Sequence, residues 1–179
     1  MNTGDVLSMK EVLNYFVRIL AWGGNFLLNI GPNSLGIIDP LFEERLRDLG
    51  SFTNANGEAI YESKPWIYQN ESDYIWYTSK TTGVELDKSR VYNPQLEEAT
   101  TVYAFVTKFE DKVEFKLSKP TDKTKNTLLG KNTALKFKYE NNVLTVSLPS
   151  FRNLPRLDCI VLKLENLQAD NVSIETSLT

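Results

Sequence analysis

GGNFLLNIGPNSLGIIDP, Gly23 to Pro40, is the stretch that decides the fold. Its apolar run of Phe26, Leu27, Leu28 and Ile30 has the length of a strand and carries polar Asn25 and Asn29 inside it. Continuous runs of this kind suit a parallel strand covered on both faces. Gly31-Pro32 breaks the run, Asn33, Ser34 and Gly36 turn the chain, and Asp39-Pro40 restarts it ahead of Leu41 and Phe42. Aspartate as N-cap with proline at the first helical position predicts a helix there. The unit reads strand, loop, helix.

Working outward, residues 9–22 place Val12, Leu13, Phe16, Val17, Ile19 and Leu20 at helical spacing before the Gly23-Gly24 stop. From Leu41 to Asn54 the period returns with Phe42, Leu46, Leu49 and Phe52, and Glu43 and Glu44 fall in the first turn, where they favour the helix dipole. Asn56-Gly57 turns the chain. Helix, strand, helix is the grammar of an α/β fold, yet one such unit cannot close a sheet. A central parallel strand needs neighbours on each side.

From Ala59 the grammar becomes antiparallel β. Ala59–Glu62 and Tyr74–Ser79 read as strands, with Lys64-Pro65-Trp66 as a junction between them. Thr101–Phe109, Lys112–Ser118, Ala134–Tyr139, Val143–Leu148 and Asp158–Leu164 follow. Val113, Phe115 and Leu117 alternate with Lys112, Glu114 and Lys116, and Glu140-Asn141-Asn142 reads as a hairpin turn. Short strands separated by polar turns predict a β-sandwich. Residues 81–100, with Gly83 and Pro94 and no periodic pattern, read as a long surface loop or insertion.

Composition narrows the chemistry. With 179 residues, 41% apolar and 24% charged, the chain has the size of one full soluble domain. Its 20 basic and 23 acidic residues leave a net charge of −3, which argues against nucleic acid as a main partner. The lysines between Lys108 and Lys138 read as solvated strand faces and turns. No stretch is long and apolar enough to span a bilayer, and no apolar h-region follows Met1, a pattern that by itself suggests a cytoplasmic protein. The single cysteine, Cys159, reads as a small buried hydrophobe. There is no histidine, which removes the commonest general base and zinc ligand.

The run from Gly23 to Trp66 resembles the end of the catalytic barrel in the α-L-fucosidase family of retaining glycoside hydrolases. The shared letters are Gly24-Asn25, Leu27-Leu28-Asn29-Ile30-Gly31-Pro32, Gly36, Asn56-Gly57-Glu58-Ala59-Ile60-Tyr61 and Lys64-Pro65-Trp66. Ile75-Trp76-Tyr77-Thr78-Ser79-Lys80 extends the likeness in the manner of animal lysosomal members. The resemblance implies an α/β remnant, the last βα element of a (β/α)8-like barrel, followed by an antiparallel β-sandwich, overall α+β. Residues 1–63 would be the incomplete end of the catalytic barrel and 64–179 the C-terminal sandwich, with its inserted loop at about 81–100.

In that family, the resemblance implies, the aspartate nucleophile, the glutamate acid/base and the histidines that hold fucose all precede this region. No catalytic residue is therefore expected in the chain, and the expectation is that it does not hydrolyse glycosides alone. Retaining hydrolysis needs two carboxyl groups about 5 Å apart. Local carboxylates have plainer roles: Asp39 as a cap, Glu43 and Glu44 as first-turn charges, Asp48 as a surface partner of Arg45 and Arg47, and Glu58 as a tie to the sandwich. By the barrel rule, Asn29, Gly31, Pro32 and Asn33 would form a substrate-pocket rim at the carboxyl end of the strand. For Asn29 the competing role is an amide that pins loop backbone. Trp66 and Trp76 could form a sugar-stacking platform, but packing at a domain junction is the plainer reading.

Asn70-Glu71-Ser72 and Asn171-Val172-Ser173 are glycosylation sequons, so Asn70 and Asn171 are candidate acceptors. Together with the resemblance they favour a lysosomal or secreted parent whose signal peptide lies upstream. No metal or cofactor is expected. The parent's partners would be fucosylated glycans, and an unpaired apolar face of Phe26, Leu28, Ile30 and the 9–22 helix would drive self-association. A different class of reading makes the sandwich a non-enzymatic module that binds carbohydrate or protein.

Overall fold

The computed structural model describes residues 6–154, 156 and 158–170. Helix α1, Met9–Ala21, opens with a capping box in which Ser8 Oγ accepts from Glu11 N at 3.3 Å and Glu11 Oε2 accepts from Ser8 N at 2.8 Å. It closes in a Schellman turn, with Gly24 N donating to Ile19 O and Gly23 N to Leu20 O, both at 2.9 Å. Gly23 holds φ +75°, and a β-carbon there would meet Pro65 Cγ at 3.1 Å, so the turn sits directly on the sheet. Helix α2, Pro40–Ala55, is capped as expected: Asp39 Oδ1 accepts from Leu41 N at 2.9 Å.

The strands are β1 (Lys64–Ser72), β2 (Ile75–Thr81), β3 (Thr100–Val106), β4 (Lys112–Phe115), β5 (Pro120–Leu128), β6 (Thr133–Ala134), β7 (Phe137–Glu140), β8 (Val143–Ser147) and β9 (Ile160–Leu167). They form a six-stranded sheet ordered β1-β2-β3-β9-β5-β6 and a three-stranded sheet ordered β4-β8-β7. All ladders between the named strands are antiparallel. The expected Asn141-Asn142 turn links β7 to β8, both residues at positive φ and flanked by the Glu140↔Val143 pair.

The large sheet is covered on both faces, which accounts for the near-continuous apolar runs in β2, β3 and β9. Ile75, Tyr77, Val102, Ala104, Val106, Ile160, Leu162 and Leu164 point into the sandwich core with Phe115, Leu144 and Val146 of the small sheet. The alternate residues, Trp76, Tyr103, Phe105 and Val161, face the helical layer and pack with Val12, Leu13, Phe16 and Val17 of α1 and Phe52 of α2. The result is three layers: helices, large sheet, small sheet. The apolar stripe of α1, expected to lack partners, is buried on this sheet.

Several expectations are corrected. Residues 24–33 form no ladder among the described residues, although Phe26, Leu28 and Ile30 are half-buried and Asn25, Leu27 and Asn29 exposed, the alternation of an extended chain. The predicted parallel strand lacks neighbours to pair with, so Phe26 and Leu28 lean on the α1–α2 cluster instead. Ala59–Glu62 is not a strand. Gly57–Ile60 forms a short helix, α3, whose Ala59 and Ile60 are buried and whose Ala59 carbonyl accepts from Thr78 Oγ1 at 2.7 Å. The Lys64-Pro65-Trp66 junction is the beginning of β1. Strand β5 escaped the sequence reading because its inward positions include polar Thr124 and Asn126.

The loop between β2 and β3 lies on the surface for much of its length, but its middle is anchored. Asn93 N donates to Pro65 O at 2.7 Å and Asn93 Nδ2 to Ser79 O at 3.1 Å. Buried Gln95 accepts from Trp66 Nε1 at 3.0 Å and donates to Leu167 O at 3.3 Å, joining β1 to β9 across the loop.

Candidate functional site

Asn29, Gly31, Pro32 and Asn33, the residues expected at a rim, lie on the exposed stretch that leads into α2. Asn33 organises it: its Oδ1 accepts from Leu35 N at 2.9 Å and Ile37 N at 3.0 Å, while its backbone N–H donates to Ile37 O at 2.9 Å. The backbone-pinning role considered for Asn29 thus belongs to Asn33. Among the described residues Asn29 makes no side-chain hydrogen bond, and it stands exposed at the edge of a cleft of about 230 Å³. Leu28, Ile30, Val12 and Phe42 wall that cleft, and Arg45 crosses it to donate to Leu7 O at 3.2 Å. Nothing within 4 Å would obstruct a β-carbon on Gly31. Two large apolar side chains stand out from this segment among its exposed asparagines, Leu27 at 92% and Leu35 at 81% exposure.

The local carboxylates are engaged in structure. Asp39 caps α2, Glu43 pairs with Arg47 at 2.5 Å, and Glu44 lies 3.5 Å from Arg45. Asp48 does not take the expected arginine partners, whose charges are used by Glu43 and Glu44. Its backbone carbonyl instead accepts from Arg156 at 3.5 Å. Glu58 fulfils its tie to the sandwich, accepting from Tyr103 Oη at 2.9 Å and pairing with Lys163 at 2.8 Å. Burial opposes its charge, but hydrogen bonds from Lys163 and Tyr103 outweigh that and hold its carboxyl below the usual range. Asp39, Glu43, Glu44 and Glu58 serve a cap and ion pairs, and these carboxylates frame no common reaction centre among the described residues. Among the described residues no three His, Cys, Asp or Glu side chains cluster to hold a metal ion.

The two tryptophans divide as packing residues. Trp66 is core, edge-on to Tyr68 and Tyr77 with centroids 5.0 Å away in each case. Trp76 is buried against α1, its Nε1 donating to Asp73 O at 3.3 Å. Cys159 is buried, and burial pushes its thiol far above the usual range, as expected of a small hydrophobe. Asn70 is half-buried on edge strand β1, and Asn171 lies outside the described residues. The described helices include none long and apolar enough to cross a membrane.

Two sequence profiles match the chain in series: "Alpha-L-fucosidase" over residues 1–58 and "Alpha-L-fucosidase C-terminal domain" over residues 69–165. The chain belongs to the α-L-fucosidase family. A Caenorhabditis elegans protein provisionally named as an α-L-fucosidase is 39% identical over 174 residues, covering 92% of this chain and 36% of that protein. The human tissue α-L-fucosidase is 36% identical over 154 residues, covering 83% of this chain and 29% of that one. The chain therefore spans about a third of the length of these fucosidases. Among solved structures, the Thermotoga maritima α-fucosidase in complex with fucose superposes with a TM-score of 0.67 at 21% identity, covering 91% of this chain and 35% of that one. That likeness is one of fold.

Proposed function

We propose that these residues are the C-terminal part of an α-L-fucosidase that removes terminal α-linked fucose from glycoconjugates with retention, and that this segment alone is inactive. The observation that carries the reading is the junction. Described residues within the stretch that matches the "Alpha-L-fucosidase" model pack as a helical layer on the large sheet, while residues 24–33 carry the alternation of a strand that forms no ladder among the described residues. We infer that this segment is the closing stave of a (β/α)8-like barrel, with Asn29, Gly31, Pro32 and Asn33 on its active-site rim.

Mechanistically, a retaining glycosidase needs a nucleophilic carboxylate and an acid/base carboxyl about 5 Å apart across the glycosidic bond. Of the carboxylates described above, Asp39 is committed to a cap and Glu43, Glu44 and Glu58 to ion pairs, which supports placing that pair elsewhere in the enzyme. The role left to these residues is structural: to complete the barrel wall, place the Asn29–Asn33 turn beside the sugar, and brace it through Glu58 and the sandwich. The lysosomal or secreted compartment, glycosylation at Asn70 and Asn171, and self-association belong to the same proposal.

The test is hydrolysis of an aryl α-L-fucoside by residues 1–179 alone and by the same residues joined to the catalytic segment of a fucosidase. Turnover is expected only from the second, with retained anomeric configuration. Release of fucose by residues 1–179 alone would overturn the assignment.

A further inference from the structure

The molecule also carries a groove that the fucosidase reading leaves unused. It lies between the outer face of α1 and the turn joining β1 to β2, with a volume of about 430 Å³. Arg18 sets one wall: its guanidinium lies 5.8 Å from the centroid of the buried Trp76 ring. Lys108 contributes to the lining with its ammonium 5.3 Å from the centroid of Tyr74. Each cation is thereby held over an aromatic face, an attraction that restricts the side chain while leaving N–H groups free. Lys10 adds another positive charge to the lining, and among the described residues neither Lys10 nor Arg18 has a carboxylate partner.

The charge balance is unusual for a chain with a net charge of −3. Three lining cations face one lining carboxylate, Asp73, and Glu110, 2.6 Å from Lys108, still leaves the cations in excess. Half-buried Asn14 has no side-chain hydrogen bond among the described residues and offers both an amide donor and an acceptor. Tyr15, 53% exposed, supplies an open ring in the lining, and Trp22, 60% exposed at the C-cap of α1, continues the aromatic surface along the same helix face. The floor is fixed by backbone: Thr107 N donates to Tyr74 O at 2.9 Å, and Trp76 Nε1 donates to Asp73 O at 3.3 Å.

Fixed cations beside open aromatic rings and an unpartnered amide match one ligand chemistry. A sugar ring stacks on an aromatic face, its hydroxyls use the amide, and a carboxylate or sulfate on it takes charge-assisted bonds from guanidinium and ammonium. We propose that this groove binds an acidic saccharide, with its anionic group on Arg18 and Lys108 and its ring against Tyr15. This goes beyond the hydrolytic reading and does not depend on it, because binding is read without turnover.

Isothermal titration of residues 1–179 with 3′-sialyllactose, a chondroitin 6-sulfate disaccharide and neutral lactose tests it. Binding of at least one acidic saccharide is expected, with lactose about tenfold weaker or worse, the equivalent of about one charge-assisted contact. Both acidic probes carry a carboxylate, so binding of the sulfated disaccharide without binding of 3′-sialyllactose assigns the anion to sulfate, and binding of 3′-sialyllactose assigns it to carboxylate. The Arg18→Ala/Lys108→Ala pair should weaken binding by about tenfold or more and Tyr15→Ala by several-fold, while Lys138→Ala on β7 leaves it unchanged. Charge reversal at Lys10, Lys10→Glu, provides a second variant should the double one fold poorly. Equal binding of lactose, indifference to the Arg18, Lys108 and Lys10 changes, no binding of either acidic saccharide, or tighter binding of a hexaglutamate peptide would each overturn the proposal.

Discussion

Tyr103 of β3 donates its hydroxyl to Glu58 Oε1 at 2.9 Å, across the seam where the helical layer meets the large sheet. Lys163 of β9 reaches the same oxygen at 2.8 Å, so one carboxylate fastens α3 to two adjacent strands. The bond also holds the Tyr103 proton: burial first, and then the Glu58 charge, push that phenol far above its usual range. Glu58→Gln should cost about 1 kcal/mol at pH 7, a value discounted because its side chain is 46% exposed. Its carboxyl is lowered in the folded state, so the stabilisation is present above the unfolded value of about 4.3 and is lost as pH falls through the folded one. Urea titrations of both proteins from pH 7 to pH 3 should therefore converge at the acidic end.

Glu71 should behave in the opposite sense. Burial raises its carboxyl, although the backbone N–H groups of Leu117 and Lys116 donate to it at 3.0 and 3.2 Å. A carboxyl whose pKa is raised on folding stabilises the fold at low pH and loses that contribution as pH rises through the folded value. Glu71→Gln keeps an acceptor for both amides and offers a donor towards the buried Tyr77 hydroxyl, which lacks a well-formed hydrogen bond among the described residues. The variant should be at least as stable as the parent at pH 7, with its advantage gone by about pH 4. A clear loss of stability at pH 7 would show that the charge itself is needed.

Gln95 is the clasp of the β2–β3 loop. Gln95→Leu removes the acceptor of a buried indole N–H and the donor to Leu167 O, at an expected cost of about 1–3 kcal/mol. Limited proteolysis should then cut within residues 82–92 faster than in the parent, with the sandwich core otherwise intact.

Asn126 faces the sandwich core from β5, opposite Leu164, and neither side-chain amide atom has a hydrogen-bond partner among the described residues. Substituting an apolar side chain of similar size relieves a desolvation penalty with no bond lost. Asn126→Leu should raise the unfolding free energy by about 1–2 kcal/mol, measured as a later urea midpoint at unchanged slope.

What could be read from the chain follows from what its residues had to satisfy locally. Asp39-Pro40, the Gly23-Gly24 stop and the Asn141-Asn142 turn declare themselves because each solves a backbone problem with its own side chains. The apolar run at Phe26–Ile30 shows the right alternation but no ladder, because pairing depends on strands it does not meet here. Strand β5 was hidden for the reverse reason: Thr124 and Asn126 occupy inward positions that hydrophobic periodicity does not flag. The Glu58 tie was legible as a lone carboxylate near the sandwich, whereas the Arg18–Trp76 groove joins residues far apart in sequence and carries no local signature.

Strand β9 is among the last segments of the described chain to be synthesised, yet it lies in the middle of the large sheet, between β3 and β5, with Val102 opposite Leu164 and Leu128 opposite Leu162. Until the ribosome has delivered residues 160–167, β3 and β5 have no contact through this ladder and each presents an open strand edge. The sheet consequently closes from the inside late in synthesis. Any lesion that delays or weakens β9 should divide the domain into two halves rather than fray its border, leaving both newborn edges for chaperones to guard.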